Sequence, residues 1–435
     1  MDLRLRAAAL SLVLMVPNGP WLSPSAPFEP EAVEVRSCVV HPDVTVAPTD
    51  APPADLQATI DTGLADERLQ GAGLGLSLWI EGYGEIAART ADLRLRPASN
   101  QKLLTAMAAL EILGAGTRFE TRVATDGLVT NGTLDGNLYL VGGGDPTLTS
   151  TGPHSLETLA DTVRAAGIVR VNGSVVADET RYNDHRLVES WNGVPIPAWV
   201  GSLSALMVDE NRYRADWPFI ANPAIANAEG FDGSLRATGV SVTGEPRTGE
   251  TPQRAVTVTK VISPQVRELV AVMLTDSNNT IAEMLVKELG FVTTGIGSTA
   301  AGVAAMTGVV RSLCVPRSIL QQDGSGLSHG NARSARDWRV LIQQAQTRDW
   351  WDDFAGGLAI AGETGTLERR FLDTAATGNL RAKTGSITGI RSLSGILTTA
   401  GGSRVFFSAI IDDDEPRVPM AAIDDLLVAI AESES

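Results

Sequence analysis

The chain has 435 residues, of which 43% are hydrophobic, and this is enough for a large core and more than one domain. Its formal net charge of −16 disfavours nucleic-acid binding, which depends on Lys and Arg neutralising phosphates, and equally disfavours a polybasic attachment to anionic lipid. The four histidines and two cysteines show no metal-ligand spacing, so neither a metal nor another cofactor is expected.

The N-terminal segment has the order of an export signal. Arg4 and Arg6 precede an apolar run over residues 7–16, and Pro17 ends that run at once. A basic segment followed by a short apolar run is typical of a signal peptide and is short for a bilayer span. We expect residues 1–26 to be a cleaved signal peptide or a membrane anchor, and the Pro-rich residues 27–55 to be a linker.

The globular pattern begins at Leu56, and its first part is expected to run to residue 116. It starts with a helix over residues 56–69 and a hairpin whose strands cover residues 73–80 and 85–90. Apolar residues at three- and four-residue steps then predict an amphipathic helix that begins near Ser99 and ends at Gly114.

Residues 117–260 contain many Gly, Thr and Asn residues and short alternating apolar runs, which predicts an inserted β-rich domain. Strands are expected over residues 119–125, 138–141 and 173–177, with one helix over residues 156–166. Helical periodicity resumes in residues 261–435, followed by strands at 380–385, 393–399 and 405–411 and a closing helix at 420–431. Helices on an antiparallel sheet, interrupted by an insert, are an α+β arrangement.

Three short motifs that together could form one catalytic site follow one another along the chain. A hydroxyl becomes a nucleophile when a neighbouring amine takes its proton, and residues three apart in the first turn of a helix share a face. Alone, each motif is common by chance, but the ordered triple is a strong signal. The motifs are Ser99-x-x-Lys102, Ser277-x-Asn279 and Lys383-Thr384-Gly385.

This triple is shared by penicillin-binding proteins and serine β-lactamases, and the long gap between its first two motifs resembles the D-alanyl-D-alanine carboxypeptidase/endopeptidase family of class C low-molecular-mass penicillin-binding proteins. His329 is a departure, because the family usually has Arg after Gly-Leu-Ser. Other matching stretches are Gly144-Asp145-Pro146-Thr147-Leu148, Ile281-Ala282-Glu283, Asp323-Gly324-Ser325-Gly326-Leu327-Ser328 with Asn331, Gly365-Thr366-Leu367 and Ala382 to Ser386.

The resemblance implies a penicillin-binding-protein/β-lactamase-like transpeptidase domain and an exported serine peptidase that acts on peptidoglycan stem peptides and is inhibited by β-lactam antibiotics. Ser99 would be the nucleophile, Lys102 the general base and Ser277 the proton relay. Asn279, Lys383, Thr384 and Gly385 would bind substrate, with the terminal carboxylate at Lys383 and Thr384, and the backbone N–H groups of Ser99 and Ser386 would form the oxyanion hole. The insert is expected to shape access and to contribute no catalytic group.

Other functions remain open at this point. Gly326-Leu327-Ser328-His329-Gly330 matches the nucleophile elbow of α/β-hydrolases, but that fold needs a histidine downstream, and none follows His329. A β-lactamase shares the triple but has a shorter gap between the two serines. A non-catalytic wall-binding protein with a vestigial cleft is the other alternative.

Cys38 and Cys314 are the only cysteines. An exported chain meets an oxidising compartment, where two cysteines usually pair. We therefore expect a disulfide that ties the linker to the second part of the transpeptidase domain.

Overall fold

The computed structural model describes residues 51–192, 199–212, 220–315, 320–413 and 420–434. An antiparallel sheet of six strands lies at its centre and combines strands from both ends of the chain. In spatial order these strands are β14 (Ala359–Ile360), β15 (Leu380–Ile387), β16 (Ile390–Thr398), β17 (Arg404–Asp412), β1 (Leu74–Ile80) and β2 (Gly84–Arg89).

The central sheet is covered on both faces, because neighbouring residues of a strand point to opposite sides. In β1, Leu78 joins one apolar core and Trp79 joins the other. The first core lies under two helices, α1 (Ala54–Leu64) and α10 (Met420–Ala431). The second lies under α2 (Gln101–Ala108), α5 (Val266–Thr275), α6 (Asn279–Thr294), α7 (Thr299–Ser312), α8 (Ala335–Ala345) and α9 (Trp351–Gly356).

The segment between α2 and α5 forms two further sheets around a core of its own. One sheet has the order β11 (Arg247–Thr248), β9 (Val175–Asp178), β7 (Leu138–Val141), β4 (Glu120–Thr125) and β12 (Val256–Ile262). The other has the order β10 (Ser241–Val242), β8 (Arg170–Val171), β6 (Thr133–Asp135) and β5 (Leu128–Thr130). Two helices, α3 (Leu156–Ala165) and α4 (Pro223–Ala237), pack against them. A short pair, β3 (Arg94–Leu95) and β13 (Arg333–Ser334), completes the described strands.

The predicted α+β class with an antiparallel sheet is confirmed, and two predicted elements, β7 and α10, have the predicted bounds. The helix α4 was missed, although Asn222 caps it and Pro223 opens it, because two glycines dilute its apolar pattern. Parallel pairs inside the insert, such as β7 with β9, were also missed, since pairing direction leaves no mark on single strands. The proposed domain boundaries stay a prediction, and β12 extends past residue 260.

The predicted export segment and linker up to residue 50 lie outside the described residues. In the part of the chain that is described, no helix is long and apolar enough to cross a membrane. Whether residues 1–26 are cleaved or retained as an anchor stays a prediction.

The pairing of Cys38 with Cys314 is the first testable expectation. Cys314, which follows α7, is disulfide-bonded, whereas Cys38 lies outside the described residues. Closing so long a loop stabilises the folded chain by roughly 4–5 kcal/mol in the chain-entropy model. We expect Cys314→Ser to lower the thermal unfolding temperature, and reductant to have the same effect on the wild-type protein. Mass spectrometry of non-reduced, alkylated peptides checks the bond directly, and two freely alkylated cysteines in exported protein would refute it.

Candidate active site

Ser99 lies in a 3-10 turn, Ala98–Asn100, that leads directly into α2. Ala98 has a φ of 47°, in the left-handed region that residues with a Cβ rarely adopt. Gly326 comes so close that a Cβ on it would lie 1.9 Å from the Ala98 carbonyl oxygen. The turn is therefore held in an unfavourable conformation by what packs against it.

Two buried hydrogen bonds tie this turn to β16. Ser392 Oγ donates to the Pro97 carbonyl over 2.7 Å, and Asn100 Nδ2 donates to Ser394 Oγ over 2.6 Å. Because β16 is a central strand paired on both sides, these bonds fix the position of the Ser99 backbone relative to the sheet.

Lys102 is completely buried, and its ammonium group has three hydrogen-bond acceptors. Lys102 Nζ lies 3.0 Å from Ser99 Oγ, 2.7 Å from Asn279 Oδ1 and 2.7 Å from the Ser325 carbonyl oxygen. The structure thus brings the first motif and the second motif together around one amine.

The pKa of Lys102 is lowered to about 7, because burial disfavours the charged form. The negative charge of Asp323, and that of Glu283 when it is ionised, act in the opposite direction and raise it. An amine with a pKa near neutrality is in part unprotonated at pH 7, and can therefore accept a proton from the neighbouring hydroxyl.

The helix that carries this lysine differs from the prediction of an amphipathic element. All eight residues of α2 are buried, including the polar Gln101 and Thr105. Gln101 Nε2 donates to the Asp323 carbonyl and Thr105 Oγ1 donates to the Gly324 carbonyl. The loop at residues 323–325, which also supplies an acceptor to Lys102, thus pairs with the polar side chains of α2. The helix can therefore be buried on all sides.

The second motif forms the junction between α5 and α6. Ser277 has a φ of 63°, and Asn278 caps α6 by accepting from the Ile281 N–H group. Asn279 is the first residue of α6, and its Nδ2 donates to the Trp199 carbonyl over 3.0 Å. Asn279 thereby connects the insert to Lys102.

The third motif lies on β15. Lys383 is fully buried, and its Nζ donates to the Thr384 carbonyl over 2.9 Å. Burial lowers the pKa of Lys383 well below its usual value; the charge of Lys102 lowers it further, and Asp276 partly opposes this. Thr384 Oγ1 donates to Thr366 Oγ1, in a second stretch that carried the family resemblance.

β15 has an open edge beside this motif. Its outer neighbour, β14, pairs only with Arg381 and Ala382, so the strand from Lys383 onward has no β-partner on that side among the described residues. The exposed Ser386 lies on this stretch. An open strand edge offers N–H and C=O groups to an extended peptide.

Gly385 has a structural role in addition to the predicted one, which was to leave room for a substrate. A Cβ on Gly385 would lie 2.1 Å from Ser392 Oγ and 2.9 Å from the Pro97 carbonyl oxygen. The missing side chain therefore makes room for the Ser99 turn itself, and allows the first and third motifs to approach each other.

The α/β-hydrolase alternative has no support in the structure. Ser328 is buried in a loop, where its Oγ donates to Gln322 Oε1 and its N–H donates to Asp323 Oδ2. His329 is not its base, since His329 Nδ1 lies 3.1 Å from Arg96 Nη1. Arg96 also donates to Asp412, so an arginine is present beside the position where the family usually has one.

Glu283 is a residue of the site whose place the sequence did not reveal. It is fully buried on α6, and its Oε1 accepts from the Gly324 and Ser325 N–H groups. Burial and the nearby Asp323 raise the pKa of Glu283 to about 8. Only its position after the second motif, in the stretch Ile281-Ala282-Glu283, marked it out beforehand.

Among the described residues, no group of three or more His, Cys, Asp or Glu side chains is arranged to hold a metal ion. The candidate site consists of a buried amine, two hydroxyls, an amide and a second buried amine. Such a set is suited to acyl transfer through a covalent serine intermediate.

The fold and this site indicate the class of the protein, which is that of serine enzymes related to penicillin-binding proteins. The chain is similar to the crystal structure of penicillin-binding protein 4 from Haemophilus influenzae, with a TM-score of 0.73, 22% identity, and coverage of 85% of this chain and 97% of that chain. A peptidoglycan endopeptidase from Bdellovibrio bacteriovorus has the same fold, with a TM-score of 0.54, 16% identity, and coverage of 81% of this chain and 90% of that one.

The family model for D-Ala-D-Ala carboxypeptidase 3 (S13) matches residues 56–218 and 215–432, and the chain belongs to this family. It is 30% identical to a D-alanyl-D-alanine carboxypeptidase of Actinomadura sp. (strain R39), over 87% of this chain and 85% of the relative. It is also 30% identical to a carboxypeptidase of Mycolicibacterium smegmatis, over 86% of this chain and 81% of the relative. The predicted family and the predicted class of enzyme, a serine-type D-Ala-D-Ala carboxypeptidase, are confirmed.

The close approach at Gly385 gives a prediction. Gly385→Ala places a methyl group against Ser392 Oγ and the Pro97 carbonyl, and overpacking of this kind typically costs about 1–3 kcal/mol. We expect a lower unfolding temperature and slower labelling by a fluorescent penicillin. Gly356→Ala is the matched control, because no atom lies within 4 Å of the added methyl group. Equal behaviour of the two variants would contradict the assigned role.

Proposed function

We propose that the chain cleaves peptidoglycan stem peptides through an acyl-enzyme on Ser99. The observation that carries this proposal is the 3.0 Å contact between Ser99 Oγ and the Nζ of a buried lysine whose pKa is lowered to about 7. Ser99 Oγ attacks the carbonyl carbon of the penultimate D-alanine, and Lys102 Nζ accepts the hydroxyl proton. The backbone N–H groups of Ser99 and Ser386 stabilise the oxyanion that forms.

Breakdown of the tetrahedral intermediate requires a proton on the leaving amine. In this proposal Lys102 returns its proton through Ser277, the C–N bond breaks, and the acyl group stays on Ser99. Asn279, whose Oδ1 accepts from Lys102 over 2.7 Å, orients the acyl part of the substrate. Water then attacks the ester and releases the shortened peptide.

Lys383 and Thr384 hold the terminal carboxylate, and Gly385 completes this part of the site. The buried Lys383 supports this role, because an ammonium in a water-poor site binds an anion strongly. Its lowered pKa means that the charge is best stabilised when a carboxylate is present.

The substrate class follows from the family. A stem peptide ending in D-alanyl-D-alanine gives D-alanine as the product, which is carboxypeptidase activity, and a cross-linked peptide gives a separated strand, which is endopeptidase activity. β-Lactams acylate Ser99 and inhibit the enzyme in this proposal. Because peptidoglycan lies outside the cytoplasm, the proposed location is the periplasm or cell envelope, with the protein either secreted or N-terminally anchored.

A fluorescent penicillin separates this function from its alternatives. The peptidase forms a stable label that Ser99→Ala abolishes, a β-lactamase turns the reagent over rapidly, and a non-catalytic wall-binding protein takes up no label. Membership of the carboxypeptidase family favours the first result. Release of D-alanine from a small D-alanyl-D-alanine peptide then measures the activity directly.

Replacement of the two lysines tests their separate roles. Lys102→Ala removes the base, and since a general base contributes about 10²–10⁴-fold, acylation should fall by at least that factor. Lys383→Ala should abolish acylation because it removes the charge that receives the carboxylate. The control is Lys260→Ala, whose lysine pairs with Glu120 on the surface of the insert. Labelling of Lys102→Ala at the wild-type rate would exclude the assigned base.

The pH dependence of acylation is a further prediction. Lys102 is protonated below its pKa of about 7 and cannot accept a proton there, so the acylation rate should rise as the pH increases through about 7. At higher pH the loss of the Lys383 charge, whose pKa is also lowered, should reverse this rise. Glu283, with a pKa raised to about 8, titrates nearby, so the profile is also measured in Glu283→Gln. The rise should persist in that variant. A rate independent of pH across this range would contradict the role of Lys102.

A further inference from the structure

We infer that Glu210, a residue of the insert, positions the Ser277–Asn279 motif for acylation. The inference rests on the proposed function of that motif. It assigns a role in the reaction to a segment that the sequence predicted to be free of catalytic groups, and Glu210 acts through other residues and not on the substrate itself.

The backbone around Glu210 is unusual. Asp209, Glu210 and Asn211 have φ values of 49°, 53° and 51°, three consecutive left-handed residues that all carry a Cβ. This conformation is sterically unfavourable for L-residues other than glycine, and persists only where surrounding contacts impose it. Such strain is found where a side chain must be aimed at a particular point.

The contacts that impose this backbone belong to the insert. Asn211 Nδ2 donates to the Ser202 carbonyl over 2.6 Å, and Asn211 Oδ1 accepts from Asn227 Nδ2 over 3.1 Å. Asp209 Oδ1 accepts from the Ser150 N–H group over 3.1 Å. The two neighbours of Glu210 are therefore anchored inside the insert, and Glu210 projects away from it.

The carboxylate of Glu210 holds both residues that flank Asn279. Its Oε1 accepts from Asn278 Nδ2 over 2.7 Å, and its Oε2 accepts from Thr280 Oγ1 over 3.0 Å. Arg212 Nε lies 3.5 Å from the same carboxylate. One side chain thus fixes the first turn of α6 on both sides of the amide that contacts Lys102.

Asn279 is the residue through which Glu210 would affect the reaction. Its Oδ1 must stay 2.7 Å from Lys102 Nζ, and Ser277, two residues earlier, must point to the leaving amine. Without Glu210, the Asn278 cap on the Ile281 N–H group still starts the helix, so α6 should form. The alignment of the motif with Lys102 would loosen, and small misplacements of reacting groups slow chemistry strongly.

The test compares the loss of the Glu210 carboxylate with the loss of a carboxylate elsewhere in the insert. Glu210→Ala removes the contacts to Asn278 and Thr280, and we expect penicillin acylation and kcat on a small D-alanyl-D-alanine peptide to fall about 10- to 100-fold with little change in KM. The control, Asp126→Ala, removes an ion pair with Arg254 elsewhere in the insert, and should lower the unfolding temperature without slowing acylation.

Two more variants distinguish positioning from a general loss of stability. Glu210→Gln keeps an acceptor for Asn278 Nδ2 and presents its NH₂ group to Thr280 Oγ1, which can accept, so it should restore most of the rate. Thr280→Val removes one contact from the helix side with little change in shape, and should slow acylation less than Glu210→Ala. Combined with Glu210→Ala, it should add nothing further.

Three results would overturn the inference. Wild-type acylation in Glu210→Ala, or equal loss of rate in Glu210→Ala and Asp126→Ala, overturns the inference. So does a Glu210→Gln variant as slow as Glu210→Ala. If Glu210→Ala does not fold, Thr280→Val and Glu210→Gln carry the test alone. A wild-type protein that takes up no label, or a label that survives Ser99→Ala, refutes the proposed function instead.

Discussion

The complete burial of the Lys102 ammonium group is the constraint on which the site depends. A buried charge is costly unless hydrogen-bond acceptors surround it, and this one has an amide oxygen, a backbone carbonyl and a serine hydroxyl. Each acceptor comes from a different part of the chain: the turn before α2, the start of α6, and the loop at Ser325. The same desolvation that makes these contacts necessary lowers the pKa of the amine, so stability and reactivity have one physical cause.

The loop at Ser325 must in turn be rigid for its carbonyl to serve this purpose. Glu283 accepts from the N–H groups of Gly324 and Ser325, and Asp323 accepts from the N–H groups of Gly326 and Ser328. These carboxyl groups therefore set the direction of a neutral carbonyl toward Lys102 without touching the amine themselves. Backbone donors satisfy both oxygens of Asp323 and Oε1 of Glu283, whereas Glu283 Oε2 is buried without a hydrogen-bond partner, in keeping with the raised pKa of Glu283.

Helix α6 connects the site to the insert along its whole length. Beyond the contacts of Glu210, Lys287 Nζ donates to Asn183 Oδ1 and to the His185 carbonyl, and Glu288 pairs with Arg181. Paired polar side chains thus lie beside a small apolar cluster at this interface, in which Met284 and Phe291 of α6 pack against residues of the insert. An interface of paired polar groups fixes relative position more strictly than apolar contact does, because each donor has to meet its acceptor.

The sequence predicted the fold class, five of the six strands of the central sheet and the three motifs, because alternating apolar residues and short fixed spacings are local signals. The edge strand β14 was missed, because two residues are too few to show a pattern. The sequence also missed α4, whose glycines hide its periodicity, and it did not reveal that the absence of a side chain at Gly385 also makes room for the Ser99 turn. It also gave no indication of Glu210. Contacts between distant segments, such as Glu210 with Thr280, depend on the folded arrangement and leave no pattern along the chain.

The two buried lysines of the site impose a further condition on catalysis. The charge of Lys102 lowers the pKa of Lys383, so the free enzyme disfavours having both amines protonated. A substrate carboxylate at Lys383 would stabilise the charge there and so oppose both causes that lower the pKa of this amine. In the proposed mechanism a neutral Lys102 accepts the proton of Ser99, while a charged Lys383 holds the substrate, so the two amines need different protonation states. The terminal carboxylate would supply that difference at Lys383, and a peptide lacking it would leave the buried charge without a partner and would lose affinity.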